Sequence, residues 1–166
     1  DNDRVKDIVF GLEGGSKEII ALSGRTGEEL WKFDTHRMDG SGGNVIVTNG
    51  ERDFNEDGVQ DVYGLITFDD DQHTTNSLIL LDGSDGSEIW STPFEVPTLD
   101  CYSINDLSGD NIADFIVNLD DGTVVGVDGN RGRVIWENSI EGDIIKILPM
   151  NNDVNDDGSD DICFIT

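Results

Sequence analysis

Short apolar runs, separated by clusters of Gly, Asp and Asn, recur along the chain of 166 residues. An apolar run of this length between turn formers predicts a β-strand. The runs are 19–22, 45–48, 62–66, 78–81, 101–104, 115–117, 124–127, 144–148 and 162–165. No apolar stripe follows the 3.6-residue period of a helix. The pattern therefore predicts an all-β chain.

An acidic loop of nine positions divides the chain into repeats. It reads DFNEDGVQD from Asp53, DLSGDNIAD from Asp106 and DVNDDGSDD from Asp153. A truncated copy, DNDRVKD, begins at Asp1 and aligns with the last seven positions of the full loops. The copies lie about 50 residues apart, a spacing typical of repeat architectures.

A second motif lies between the acidic loops and ends in tryptophan. It reads ALSGRTGEELW from Ala21, LLDGSDGSEIW from Leu80 and GVDGNRGRVIW from Gly126. All three tryptophans of the chain take the last position, namely Trp31, Trp90 and Trp136. A large ring at one fixed place per repeat indicates packing between neighbouring sheets rather than ligand binding. We expect the glycine four residues before each tryptophan to leave room for that ring.

With a strand before and after each loop and motif, every repeat holds four strands. This predicts a β-propeller of four-stranded antiparallel blades, with about three blades present. A β-solenoid is the alternative, but its coils are much shorter. The acidic loop would join the first and second strands of a blade, and the tryptophan would lie on the outermost strand. Over the single array 1–166 we predict blade segments at 1–39, 40–95, 96–141 and 142–166, with the remaining blades supplied by the same longer chain.

The spacing of oxygen-bearing side chains in the acidic loops predicts bound Ca²⁺. Side chains at positions 1, 3, 5 and 9, with the backbone carbonyl of position 7, match the oxygen-rich coordination that calcium prefers. The candidate ligands are Asp53, Asn55, Asp57, Val59 and Asp61; Asp106, Ser108, Asp110, Ile112 and Asp114; Asp153, Asn155, Asp157, Ser159 and Asp161; and Asp1, Asp3 and Asp7 in the truncated copy. Position 6 is Gly58 or Gly158, and Asn111 replaces glycine in the loop with Ser108, which makes that loop the weakest candidate.

An EF-hand, a metal-free turn and a magnesium site are the alternative interpretations of these loops. An EF-hand needs a Glu at position 12 and flanking helices, whereas position 12 is Gly64, Val117 or Phe164 and strands flank the loops. Turns of Asp, Asn and Gly without a metal remain possible. Magnesium also remains possible, although it retains more waters. We expect a structural ion whose removal lowers thermal stability.

Charge and composition exclude several function classes. The formal net charge is −26, from 36 acidic and 10 basic residues, so nucleic acid is not an expected partner. No run approaches the roughly 18–20 apolar residues of a membrane span. Cys101 and Cys163 fit no metal-binding spacing and are predicted to be partly buried free thiols. His36 and His73 are predicted to be solvated loop residues, and the loops 33–44 and 69–76 are candidate ligand sites.

Two family resemblances are carried by these motifs. The acidic loops resemble the calcium-binding FG-GAP repeats of integrin α-subunits and secreted microbial propellers. The tryptophan motif resembles the A-x-D-x-x-x-G-x-x-x-W repeat of PQQ-dependent quinoproteins. The chain departs from that pattern at Ser23, Leu80 and Gly126. Phe10 and Gly11 match the first half of the FG-GAP name, but Gly-Ala-Pro is absent.

The resemblances imply a non-catalytic, calcium-binding propeller of a secreted or cell-surface protein. Its face would bind a protein or glycan ligand, as in adhesion, and calcium would be the only cofactor. A PQQ-dependent dehydrogenase is one alternative, although no adjacent Cys pair is present. The propeller of a polysaccharide-degrading enzyme is another, although no acid–base pair stands out. No catalytic residue is predicted.

Overall fold

The computed structural model describes residues 3–12, 17–36, 43–49, 52–69, 74–141, 146–149, 153, 154, 156 and 161–165. These residues form thirteen β-strands. The strands are β1 (Ile8–Gly11), β2 (Glu18–Leu22), β3 (Glu29–Asp34), β4 (Asn44–Asn49), β5 (Val62–Asp69), β6 (Thr74–Leu81), β7 (Glu88–Phe94), β8 (Thr98–Ile104), β9 (Asp114–Leu119), β10 (Thr123–Val127), β11 (Val134–Ser139), β12 (Lys146–Pro149) and β13 (Ile162–Ile165). Within the described part of the chain, no helix has the length and apolar character needed to cross a membrane.

The strands form antiparallel sheets in two compact units, Asp1–Glu95 and Val96–Thr166. The first unit holds a three-stranded sheet, β1-β2-β3, and a four-stranded sheet, β4-β5-β6-β7. The second unit holds the four-stranded sheet β8-β9-β10-β11 and the pair β12-β13. Each sheet is a meander in which chain neighbours pair. The predicted four-stranded antiparallel sheets are confirmed, and they lie within 40–95 and 96–141. The blade boundaries themselves stay a prediction.

The acidic loops and tryptophans take the predicted places in the sheets. The loops connect β4 to β5, β8 to β9 and β12 to β13, which are the first two strands of their sheets. Trp31, Trp90 and Trp136 lie on β3, β7 and β11, each an edge strand. The acidic loops and the turns before the tryptophan strands therefore lie at the same end of a sheet.

One predicted loop is shorter in the structure. Residues 69–76 were predicted to form a loop, but Asp69 ends β5 and Thr74 begins β6, with Phe68 paired to Thr75. The polar run Thr-Thr-Asn-Ser carries no apolar signal, yet threonine suits a pleated strand and hydrogen-bonded pairing extends through it. His73 lies outside the described residues.

The core of the first unit lies between its two sheets. Ile19, Trp31 and Phe33 from one sheet pack with Val45, Ile66 and Ile79 from the other, all buried. The indole N–H of Trp31 donates a hydrogen bond of 2.8 Å to the carbonyl of Gly83. For Trp31, the predicted packing between neighbouring sheets is confirmed.

The glycine four residues before Trp90 lies against a different tryptophan ring from the one predicted. Gly86 precedes Trp90 in the sequence, but a Cβ on Gly86 would lie 2.5 Å from Cε3 of Trp31, on the preceding sheet. The equivalent Gly27 has nothing within 4 Å of its Cβ position. The prediction that this glycine makes room for its own tryptophan was therefore wrong for Gly86, because the turn meets the ring of the sheet before it.

In the second unit, the core surrounds the central strands. All six residues of β9 are buried, as are four of the five in β10. Trp136 packs against the cluster of Ile104, Ile116 and Val124. Its ring lies over Gly126, its register partner, where a Cβ would come within 2.7 Å of Cε2. Gly126, the first residue of the motif, therefore has to be small because the ring of Trp136 lies against it.

Candidate metal-binding loops

The acidic loops follow one backbone path. In the loop 53–61, Glu56 at position 4 and Gly58 at position 6 have φ of 61° and 93°. In the loop 106–114, Gly109 and Asn111 take the same positions with φ of 84° and 69°. The left-handed conformation also occurs at Arg4 and Asp156, which are position 6 of the truncated copy and position 4 of the last loop. Sequence reasoning found position 6 but missed position 4, because that position is Glu56 in one loop and Asp156 in another and is glycine only at Gly109.

Positions 1, 3 and 5 form what we call the outer end of a loop. In 53–61, the Asp53 carboxylate accepts hydrogen bonds from the backbone N–H groups of Asp57 (3.1 Å) and Gly58 (2.8 Å). Asn55 Oδ1 also accepts from Asp57 N–H, at 3.0 Å, and Asp57 Oδ1 accepts from Val59 N–H, at 2.7 Å. Asn55 and Asp57 are exposed. These bonds fix the loop path and leave the side-chain oxygens near the surface.

The outer end of the loop 106–114 repeats this arrangement. Asp106 accepts from Gly109 N–H at 2.6 Å and from Asn111 N–H at 2.7 Å. Asp110 Oδ1 accepts from Ile112 N–H at 2.9 Å. Ser108 donates its hydroxyl to Asp106 at 3.3 Å, so the short side chain at position 3 turns inward to its neighbour.

Position 9, which we call the buried end, has a different environment. Asp61 is 1% exposed and Asp114 is 0% exposed. Asp61 Oδ2 accepts from Phe54 N–H (2.7 Å) and Asn55 N–H (3.2 Å), while Oδ1 accepts from Gly83 N–H (3.1 Å). A buried carboxylate is tolerated when backbone donors satisfy it in this way. Both oxygens of Asp61 therefore join its own loop to the turn after β6.

Asp114 repeats every one of these bonds. Its Oδ2 accepts from Leu107 N–H (2.5 Å) and Ser108 N–H (2.7 Å), and its Oδ1 accepts from Gly129 N–H (2.8 Å). The other copies keep parts of the pattern. Asp7 Oδ1 accepts from Gly24 N–H at 3.0 Å, and Asp161 Oδ2 accepts from Val154 N–H at 2.5 Å.

The turn glycines allow this close approach. A Cβ on Gly83 would lie 1.8 Å from the carbonyl oxygen of Gln60, and a Cβ on Gly24 would lie 1.8 Å from that of Lys6. Gln60 and Lys6 both occupy position 8. Sequence reasoning assigned these glycines only to tight turns. The structure adds that their N–H groups and their lack of a side chain bring the turn onto the acidic loop.

The pKa is raised at the buried end of both loops and lowered at the outer end of the loop 106–114. Burial raises the pKa of Asp61 and Asp114 above the ordinary aspartate value, and their backbone hydrogen bonds offset part of that effect. Slight burial also raises the pKa of Asp106, but the N–H groups of Asn111, Gly109 and Asp110 together outweigh it and leave that pKa lowered. The amide of Asn130 lowers the pKa of Asp110.

The oxygen atoms of the outer end suit a hard cation as ligands, whereas the carboxylate of the buried end faces backbone N–H groups. Carboxylate, amide and hydroxyl oxygens are the ligands that calcium takes. Yet among the residues that the structure describes, no three His, Cys, Asp or Glu side chains are arranged to hold a metal. The reason is that position 9 faces backbone N–H groups and position 3 is an amide or a hydroxyl. A site in 53–61 or 106–114 would therefore draw on positions 1, 3, 5 and 7.

The remaining predicted residues are placed as follows. Asp3 and Asp7 lie beside the turn at 24–25, and Asp153 and Asp161 frame the last loop. Asp1, Asn155, Asp157 and Ser159 lie outside the described residues. The His36 side chain is 38% exposed, and its Nδ1 lies 2.8 Å from Asp34 Oδ1. Neither Cys101 nor Cys163 forms a disulfide, but the prediction that both are partly buried was wrong, because Cys101 is buried and Cys163 is exposed. Burial raises the pKa of Cys101 to about 12.

Comparison with known proteins places these loops in a broader family. Residues 15–148 match the family model PQQ_2, described as "Outer membrane protein assembly factor BamB". No curated protein sequence matches the chain. Together with the four-stranded antiparallel sheets, the family match confirms the predicted fold, an all-β propeller of which about three blades are present.

Solved structures give more distant similarities. BamB from Moraxella catarrhalis aligns with a TM-score of 0.48 and 17% identity, over 83% of this chain and 35% of that one. BBS1N in complex with ARL6DN, soaked with lead, aligns with a TM-score of 0.45 and 13% identity, over 100% of this chain and 59% of that one. The chain therefore spans 35% and 59% of the length of these two structures, which is less than two thirds of each.

Proposed function

The chain belongs to the PQQ_2 family of β-propellers, and from that premise we propose that it is a non-catalytic, calcium-binding module of a secreted or cell-surface protein. Ca²⁺ would hold the FG-GAP-type loops between the first two strands of each blade. The propeller face would then bind a protein or glycan ligand, as in adhesion. The remaining blades would come from the same longer chain.

The observation that carries this proposal is the outer end of the loop 53–61. Asp53, Asn55 and Asp57 present hard oxygen atoms close together, and hydrogen bonds from backbone N–H groups hold each side chain in place. Fixed carboxylates of like charge repel one another, and a divalent cation removes that repulsion. The net charge of −26 adds a general attraction for cations.

The expected calcium affinity of the loops and the description of the matched family both support a location outside the cytoplasm. Loops with only a few charged ligands bind calcium in the range of about 10⁻⁴–10⁻³ M that is typical of extracellular modules. The family description names an assembly factor for outer membrane protein. That wording supports a protein partner in the cell envelope more directly than it supports a glycan.

A calcium titration of the isolated chain tests the metal part of the proposal. After exhaustive treatment with chelator, we expect the melting temperature to rise when millimolar Ca²⁺ is restored. Tb³⁺ gives a second readout, because it replaces calcium and emits when a nearby tryptophan is excited. Trp31 lies close to the loop 53–61 through its bond to Gly83, so the Trp31→Phe variant should emit less.

The matched comparison uses two double variants. Asp53→Asn with Asp57→Asn removes two charges from the outer end, and Asp85→Asn with Asp121→Asn removes two charges from turns outside the acidic loops. We expect only the first pair to lose calcium-dependent stabilisation. Equal melting temperatures with calcium and with chelator in the unmodified chain would exclude a structural calcium ion.

A PQQ-dependent dehydrogenase is the second candidate, because the tryptophan motif and the family label both refer to PQQ. Such an enzyme would hold its quinone cofactor by side chains that the acidic loops do not supply. Reconstitution of the chain with PQQ and Ca²⁺ should give no bound quinone absorbance and no alcohol oxidation. Stoichiometric uptake of quinone would favour the enzyme instead.

A further inference from the structure

We propose that Arg25 is a built-in cation that takes the place of a metal ion in the truncated acidic loop. We further infer that the residue at its equivalent position sets the metal requirement of the other loops. The equivalent residues are Arg25, Ser84 and Asn130, each directly after the turn glycine. This inference rests on the proposed calcium binding and assigns it unequally among the loops.

The placement of these three residues follows from the buried end of each loop. Gly24, Gly83 and Gly129 donate their N–H groups to the aspartate at position 9, at 3.0, 3.1 and 2.8 Å. Because the bond is the same in each repeat, the next residue always lies beside its loop. The residue it can reach there is the aspartate at position 5, which is Asp3, Asp57 or Asp110.

Arg25 makes the strongest of the three contacts. Its Nε donates to Asp3 Oδ2, and its Nη2 donates to the Asp3 carbonyl oxygen at 3.0 Å. The guanidinium therefore binds the carboxylate at position 5, which is one of the predicted metal ligands, together with the carbonyl oxygen of the same residue.

Asn130 and Ser84 make weaker contacts or none. Asn130 Nδ2 donates to Asp110 Oδ2 at 2.9 Å, which supplies a neutral donor in place of a cation. The backbone N–H of Ser84 bonds to Asp82 at 2.7 Å, as that of Asn130 does to Asp128, but none of the described bonds joins the Ser84 side chain to Asp57. From the side chain after the turn glycine, the carboxylate at position 5 thus receives a cation in the first repeat, an amide donor at Asp110 and, among the described bonds, no donor at Asp57.

The local charges follow the same order. Over positions 3–9, the truncated copy carries Asp1, Asp3 and Asp7 against Arg4 and Lys6, and Arg25 adds a third positive charge beside them. Over the same positions, the loop 53–61 carries three acids and no base, and the loop 106–114 carries two acids and no base. Basic side chains therefore match the acids of these positions in the truncated copy, whereas the loop 53–61 has more uncompensated acids than the loop 106–114.

A reciprocal exchange tests the inference on the full chain. Ser84→Arg should place a guanidinium beside Asp57, weaken Ca²⁺ binding at the loop 53–61 roughly tenfold or more, and raise the melting temperature in chelator. Arg25→Ser should make the chain more sensitive to chelator. Thr75→Arg is the control, because it adds the same charge at an exposed site on the opposite end of β6. Calorimetric titration gives affinity and stoichiometry, and thermal melts give the dependence on chelator.

The outcomes separate this inference from the proposed function. If Ser84→Arg weakens Ca²⁺ binding and Thr75→Arg does not, the role of the turn position is supported. If the unmodified chain binds Ca²⁺ and the two arginine variants bind it equally, the inference is overturned while calcium binding stands. If the unmodified chain binds no Ca²⁺ at all, both fail together.

Discussion

The buried end and the outer end belong to the same nine-residue loop, yet aspartate has opposite physical roles at the two ends. Asp61 and Asp114 are buried, and each accepts three backbone N–H groups. Asp57 and Asp110 are exposed and face solvent or a turn side chain. A carboxylate at the buried end thus stabilises the hairpin through its backbone hydrogen bonds. A carboxylate at the outer end keeps an exposed charge that a counterion would neutralise.

The repeated spacing suggests one role for every aspartate of a loop, but holding the fold and binding a cation fall to different positions. The hydrogen bonds of the buried end hold the fold of the repeat whether or not a metal binds. The outer end adjusts charge and can vary, as Ser108 and Asn55 at position 3 already do. Experiments that treat the two ends separately will test this division.

The largest effect is expected from removing a carboxylate at the buried end. Asp61→Ala leaves three backbone N–H groups without their acceptor, and we expect the free energy of unfolding to fall by about 3–5 kcal/mol. Asp53→Ala is the matched variant at the outer end, with an expected loss of about 1 kcal/mol or less. Urea denaturation in the presence of chelator measures both. Equal losses would contradict the division between the two ends.

A second test approaches the buried end from the turn. In Gly83→Ala the new Cβ would lie 1.8 Å from the Gln60 carbonyl oxygen, so backbone must move and the bond to Asp61 is disturbed. We expect a loss of about 2–3 kcal/mol in thermal or urea unfolding. Gly58→Ala is the comparison at the outer end: its Cβ would meet nothing within 4 Å, which leaves only the strain of a positive φ, about 1–2 kcal/mol. A smaller loss for Gly83→Ala than for Gly58→Ala would argue against the close approach.

The dependence of stability on pH should have opposite signs at the two ends. The folded-state pKa of Asp114 is raised, so its contribution is largest below the unfolded pKa and is lost as pH rises through the folded value. The pKa of Asp106 is lowered, so its contribution is present above the unfolded pKa and is lost as pH falls through the folded value. Stability profiles of Asp114→Asn and Asp106→Asn, each subtracted from the parent profile in chelator, should slope in opposite directions. Carbon-13 NMR of the side-chain carboxyls gives the pKa values directly, and two shifts of the same sign would contradict the assignment.

The smallest effect is expected from neutralising the outer end without metal. Asp53→Asn combined with Asp57→Asn keeps side-chain oxygens for the backbone bonds and removes two like charges. In chelator and low salt we expect the free energy of unfolding to change by no more than about 0.5 kcal/mol, in the direction of higher stability. At high salt the change should be smaller, because salt screens the repulsion. Thermal melts over a salt series measure it. A large loss in chelator would mean that the outer carboxylates stabilise the loop on their own.

Much of the fold was predictable because the sequence repeats its signals. The turn chemistry around Gly83 and the apolar runs that became β5, β9 and β13 marked strands and hairpins without any tertiary information. The polar start of β6 at Thr74 was missed, because only pairing with β5 reveals it. The contact between Gly86 and Trp31 was misassigned, because a sequence does not say which sheet a ring reaches.

The candidate site was predictable at the level of loop composition only. Spacing grouped Asp53, Asp57 and Asp61 as equal oxygen donors, but burial distinguishes them and burial depends on the packed turn. The guanidinium of Arg25 beside Asp3 gave no signal in the spacing, since the two residues lie in different motifs. Metal binding at these loops stays a prediction for the experiments above.

The bond from position 9 to the turn glycine has a consequence for how the chain folds. It joins residues only 17, 22 and 15 positions apart in the three repeats. Contacts of such short sequence separation lose little chain entropy on closure and form early. Each repeat can therefore close its own hairpins during synthesis before the next repeat exists, and packing against the next sheet follows afterwards.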